Sequence, residues 1–146
     1  MKISYRCDYA LKAVLELAVN NDTKLVTASD LSLRIDAPVK FLEQILLELK
    51  KGGFVKSKRG NAGGYSLLRP PAQITVGEIV RLIEGPIEPI ACVDDGYRGC
   101  ADAGTCAFRK IWRRVYDATT SVIDRVNFQQ LADEITSTRQ ELAYHI

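Results

Sequence analysis

Three of the four cysteines, Cys92, Cys100 and Cys106, fall within fifteen residues, spaced C-x7-C-x5-C. Thiolates are soft donors suited to zinc, copper(I) or an iron–sulfur cluster. Structural zinc prefers four ligands that include a C-x2–4-C pair. No such pair is present, and three widely spaced cysteines on an open loop suit a larger object, a cluster, better. A mononuclear metal, redox-active thiols and inert loop cysteines are the other readings of the same residues. The segment between the cysteines is polar and Gly-rich and cannot pack a core of its own. Three cysteines also leave a fourth ligand position open. The lone histidine, His145, lies in the C-terminal tail.

A second set of residues points to phosphate. Residues 40–69 carry seven positive charges (Lys40, Lys50, Lys51, Lys56, Lys58, Arg59, Arg69) against two negative ones (Glu43, Glu48). The net charge of the chain is only +2. The basic excess is therefore local, which is the electrostatic footprint of nucleic-acid binding.

The remaining composition excludes several classes. A chain of 146 residues with 47% hydrophobic and 26% charged residues is an ordinary globular domain with room for an appendage. No apolar run is long enough to span a membrane, and the N-terminus lacks the apolar core of a signal peptide. The chain is expected to be cytoplasmic, where clustered cysteines serve as ligands more often than as disulfides. An enzyme is not expected. There is no nucleophile motif, and the Gly-rich stretch follows a basic strand rather than opening a phosphate-binding helix.

The elements that must position these residues follow from periodicity and punctuation. Ser4 caps a first helix whose apolar stripe runs through Cys7, Ala10, Leu11, Val14, Leu17 and Ala18. Asp8 sits about 100° off that stripe, facing solvent or a partner. Thr27 caps a short second helix over Ala28–Ile35. Pro38 suits the first position of a third, which buries Phe41 or Leu42, then Ile45, Leu46 and Leu49, and ends at Gly52-Gly53. This pair is a helix-turn-helix. Phe54–Lys58 and Tyr65–Leu68 flank the glycines of a loose β-hairpin tip, a wing. Thr75-x-x-Glu78 is a capping box opening a fourth helix over Val76–Glu84. Residues 87–105 are irregular.

A long helix then begins near Cys106. Phe108, Ile111, Trp112, Val115, Val122 and Val126 recur along it at helical spacing. Such a helix has more apolar face than one small domain needs, so a symmetric dimer is expected. Phe128–Ile135 reads as a short further helix and the tail to Ile146 as frayed. The expected fold is mainly α with a small β-hairpin wing. Its three parts are a winged helix-turn-helix over 1–84, a cysteine-bearing sensor loop over 85–106, and a dimerisation helix with tail over 107–146.

Base-edge contacts are expected from Lys40, Phe41, Glu43 and Gln44 at the start of the third helix. Phosphate contacts are expected from Thr27 and Ser29 at the second helix and from Lys56, Lys58, Arg59 and Asn61 on the wing. Phe41 can equally be core.

The chain resembles the Rrf2 family of bacterial winged-helix transcription regulators. The resemblance rests on Tyr9-Ala10-Leu11-Lys12-Ala13, on Phe41-Leu42-Glu43-Gln44-Ile45-Leu46 and on Lys51-Gly52-Gly53-Phe54-Val55. The wing Arg59-Gly60-Asn61-Ala62-Gly63-Gly64-Tyr65, the run Ile74–Val80 and the three late cysteines complete it. It implies a homodimer formed through the long helix. It also implies a palindromic operator in double-stranded DNA, read by the third helix in the major groove and the wing in the minor groove.

Members of the iron–sulfur cluster regulator, nitric-oxide-sensing repressor and rhizobial iron regulator types hold an iron–sulfur cluster, [2Fe–2S] or [4Fe–4S], through three cysteines of this loop. Members of the cysteine-metabolism repressor type lack that site and respond through a protein partner. The commonest family spacing is C-x5-C-x5-C, and the longer first gap here resembles the rhizobial type. In the nitric-oxide-sensing members an aspartate of the other subunit's first helix completes the site. By that resemblance the ligand set is Cys92, Cys100, Cys106 and Asp8, with the neighbouring Cys7 as the other candidate for the fourth place.

Overall fold

The computed structural model describes residues 1–146. Six helices and one hairpin follow in the order α1 (Tyr5–Val19), α2 (Ala28–Ile35), α3 (Val39–Lys51), β1 (Val55–Lys58), β2 (Gly64–Leu67), α4 (Val76–Glu84), α5 (Ala107–Ile123) and α6 (Phe128–Tyr144). The mainly helical fold with a hairpin wing is as expected. No helix is long and apolar enough to cross a membrane.

Capping residues set most boundaries. The Ser4 hydroxyl accepts from the Cys7 amide at 3.1 Å, and the Thr27 hydroxyl accepts from Asp30 at 3.1 Å. Thr75 and Glu78 form the complete reciprocal capping box. One boundary differs from expectation. Pro38 is not the first helical residue but the one before it, with extended ψ of 130°, and Val39 opens α3. Gly53, with φ of +80°, supplies the left-handed residue after α3.

The core gathers Ala10, Val14 and Leu17 of α1, Leu31 of α2, and Leu42, Ile45, Leu46 and Leu49 of α3. It is closed by Ile74, Ile79 and, from far along the chain, Phe128 and Ala132 of α6. Each fully buried Leu, Ile or Phe contributes about 1.5–3 kcal/mol. The short C-terminal helix and frayed tail expected after Asn127 are therefore a misreading. Asn127 and Gln130 form a second capping box, and the helix runs on to Tyr144, lying along α1. Glu16, 6% exposed, receives Arg139 of α6 at 2.6 Å and Arg34 of α2 at 3.6 Å. A buried carboxylate needs such partners to offset its desolvation.

The wing pairs in antiparallel register, Val55 with Leu67 and Lys58 with Gly64. It is tied to the start of α2 by two backbone bonds between Val26 and Tyr65, at 2.8 and 3.0 Å. Gly64 permits this close approach, since a Cβ there would meet the Val26 carbonyl at 2.9 Å.

α5 is built differently. None of its residues is buried. One stripe, including Tyr116 and Ile123, leans on Cys7, Val80 and Ile87. Its last turn is fixed by Asp124, which takes a two-pronged ion pair from Arg81 of α4 at 2.6 and 2.9 Å. The opposite stripe is uncovered: Phe108 is 65% exposed, Ile111 49%, Trp112 38%, Val115 42% and Val122 62%. The apolar face read from the sequence thus does not fold back onto its own domain.

Candidate functional site

The buried stripe of α3 at 42, 45, 46 and 49 leaves the complementary stripe at 40, 43, 44 and 47 in solvent. Lys40, Glu43 and Gln44 lie on that exposed face. Thr27 and Ser29 are exposed at the start of α2, and Lys56, Lys58, Arg59 and Asn61 are exposed on the wing. A groove runs between these elements, lined among others by Thr27, Glu43, Lys50, Ser57, Lys58 and Arg59. The fold therefore brings the α2 cap, the α3 face and the wing base to one surface. None of Lys40, Lys50, Lys56, Lys58 or Arg59 is paired with a carboxylate of the chain. Uncompensated cations beside backbone amides make a surface complementary to a phosphate backbone.

Phe41 stands apart from that surface. It is half-buried, with its ring edge-on to Tyr9 at 5.8 Å, so the α1–α3 contact claims much of it. The groove also contains residues that the sequence reading did not nominate. Lys50 donates to the Ser57 hydroxyl at 2.7 Å and so joins α3 to the wing, and Leu47 and Tyr65 line the groove beside it. Leu47 and Lys50 continue the exposed helical stripe, which is the signal that marks them.

The thiol loop lies at the start of α5 and shares no residue with the groove. All three of its cysteines are free and half-buried. Cys92 sits in a 3-10 turn, Ala91–Val93, anchored by buried Val93. Cys106 is the N-cap of α5, where unpaired helix amides favour negative charge. The loop is held to the helix by arginines. Arg109 Nε donates to the Cys92 carbonyl at 2.8 Å and its Nη1 to the Ala103 carbonyl at 3.3 Å. Arg113 pairs with Asp95 at 2.5 Å. A hollow beside Cys106 is lined by Arg109, Lys110, Arg113 and Arg114.

Within one chain no three His, Cys, Asp or Glu side chains converge on a single point. The donor chemistry nevertheless fits a thiolate-held cluster. The thiols are uncommitted and accessible, and the cationic floor meets the negative charge that thiolates bring. The two candidates for a fourth ligand differ sharply. Asp8 is half-exposed on α1, paired only with Lys12 at 2.7 Å. Cys7 is fully buried, and that burial, reinforced by Glu84 and then Asp8, pushes its thiol up to about 11. Asp8 is thus the more accessible of the two candidates.

The family model described as Rrf2, iron-dependent transcriptional regulator, matches residues 3–134. The chain is 38% identical over 136 residues to an Rrf2-like HTH-type transcriptional regulator of Rhodobacter capsulatus, covering 88% of this chain and 91% of that one. It is 32% identical over 146 residues to the HTH-type transcriptional regulator CymR of Bacillus subtilis, covering all of both. The structure of that CymR, the global cysteine regulator of B. subtilis, superposes with a TM-score of 0.78 over 92% of this chain and 98% of CymR. The structure of T. potens IscR superposes with a TM-score of 0.74 at 28% identity, over 92% of this chain and 88% of IscR. These relatives are transcription regulators rather than enzymes, and the winged helix, the exposed basic groove and the matched span agree: the chain belongs to the Rrf2 family of DNA-binding transcription regulators.

Proposed function

We propose that this chain acts in the cytoplasm as a homodimeric, sequence-specific regulator of a palindromic operator, with its affinity set by an iron–sulfur cluster. Cys92, Cys100 and Cys106 hold the cluster, and Asp8 of the partner subunit takes the fourth place. The observation that carries this reading is the position of three free, half-buried thiols at the head of a helix whose apolar face has no partner in its own chain. A cluster supplies an oxidisable, labile anion through which iron supply, oxygen or nitric oxide can be sensed.

The chain's own residues account for the rest. Glu43 accepts from a cytosine amine and Gln44 pairs with adenine, with Lys40 beside them. Thr27, Ser29, Lys56, Lys58, Arg59 and Asn61 meet phosphate and set the register. The exposed stripe of α5 packs on its twin and fixes the separation of the two α3 helices, which must match half-sites about 34 Å apart. α5 runs for roughly 25 Å from Cys106 to Asp124, so what happens at the thiols reaches the α4 clamp through a stiff rod.

A second reading has its own support. The thiols do not meet at one point within a chain, and CymR aligns end to end. By that reading this chain is a cluster-free repressor controlled by thiol oxidation or by a protein partner. Anaerobic purification separates the two. Brown protein with iron and acid-labile sulfide in equal amounts supports the cluster. Colourless protein that takes up neither on reconstitution, yet still shifts operator DNA, supports the second reading. If Asp8→Ala leaves the visible circular dichroism of the cluster unchanged, Asp8 is not a ligand.

A further inference from the structure

Arg109 is half-buried and has no carboxylate partner, unlike Arg6, Arg34, Arg69, Arg81, Arg113 and Arg139. Its two bonds go instead to backbone carbonyls at both ends of the thiol loop, Cys92 and Ala103. Two of its five N–H donors are thus committed to carbonyls, and no carboxylate pairs with its charge. It also sits three residues after Cys106, on the helix face that borders the hollow. The planar fork suits this bridging role, because its donors sit on separate nitrogens held at fixed angles, whereas the three donors of an ammonium share one nitrogen.

We propose that Arg109 is a positioning residue that clasps the loop before any cluster is present. It holds the Cys92 turn and the Ala103–Cys106 turn against the first turn of α5, and leaves a positive charge beside Cys106. This rests on the reading of the loop as a cluster site. The clasp itself is made by contacts within the chain, so it can be tested separately.

The test compares wild type, R109A and R109K in two measurements. The first is hydrogen exchange of the cluster-free full-length dimer, followed by mass spectrometry. The peptides spanning 90–106 should exchange about tenfold faster in R109A, and peptides from the Asp124 end of α5 should be unchanged. R109K should resemble R109A, because a flexible ammonium lacks the rigid pair of nitrogens that reaches the two carbonyls together. The second is anaerobic reconstitution with iron and sulfide, read by visible circular dichroism and by the rate of iron loss to a chelator. Both variants should give an altered spectrum and lose iron several-fold faster. Unchanged loop exchange in R109A overturns the clasp. Faster exchange with an unaltered spectrum and iron-loss rate overturns its role in positioning the thiols. Wild-type behaviour in R109K overturns the fork and leaves charge alone. If wild type takes up no iron, the cluster reading fails, while the exchange data still decide the clasp.

Discussion

The groove at the wing and the arm formed by α5 with the thiol loop are finished to different degrees. The groove is rigidly supported within one chain. Behind Glu43 and Gln44 stand Leu42, Ile45, Leu46 and Leu49, all fully buried, and Val26 pins the wing to α2. α5 has no buried residue, and its loop is held by two arginines and one buried valine. A surface that must match the fixed geometry of DNA is built on a closed core. α5, by contrast, makes few buried contacts with the rest of its own chain. The difference teaches that the groove is completed within one chain, whereas α5 presents an apolar face that its own chain leaves uncovered.

Four substitutions test that division, beginning with the largest effect. Leu46→Ala empties the core behind α3 and should cost about 3 kcal/mol of stability in a denaturant titration. Ile111→Asp should leave the stability of the isolated fold within about 0.5 kcal/mol. It should convert a dimer to a monomer in sedimentation and weaken operator binding by about 100-fold through loss of the second half-site. A monomer that binds the operator as tightly as wild type would break the comparison.

Cys7 sits at the seam between the two regions, against Val80 and Ile87 and the inner face of α5. Its folded value lies near 11, above the ordinary 9.0, so the neutral thiol is favoured by folding. The stability this gives is fully present below pH 9 and is lost as pH rises through 11. Two pH units correspond to roughly 2–3 kcal/mol at most. Wild type should therefore lose more stability than Cys7→Ala between pH 9 and pH 11, as read by paired denaturation curves. Parallel curves would remove Cys7 from the seam. The smallest effect is expected at the groove. Arg59→Ala should weaken operator binding about tenfold and reduce the slope of log affinity against log salt by about one. An unchanged affinity would exclude Arg59 from the interface.

Helix boundaries set by hydroxyl caps and glycines were readable directly, because a cap is a local event. Ser4, Thr27 and Thr75 bond to amides three residues on, and Val76–Glu84 begins and ends where its capping box and Gly85 place it. The exposed stripe of α3 follows from its buried stripe by helical geometry alone. The fate of the C-terminal segment was not readable. Its weak amphipathic pattern suggested fraying, yet α6 continues to Tyr144 because α1 offers a groove for Phe128 and Ala132 and a buried carboxylate for Arg139. Those contacts join residues more than a hundred positions apart, and no window of sequence contains both partners.

The sequence by itself determined the three thiols and their spacing, the basic block at 40–69, the order of helices and wing, and the resemblance to the Rrf2 family. All of these are local patterns of residue type. Only the tertiary structure decided that α6 runs on to Tyr144 along α1. It also showed that Lys50 and Ser57 bind α3 to the wing, and that Arg109 spans both ends of the thiol loop. The physical reason is the same in each case. Burial and hydrogen-bond partnership depend on which distant segment arrives alongside, and that is set by packing rather than by the residues next in the chain.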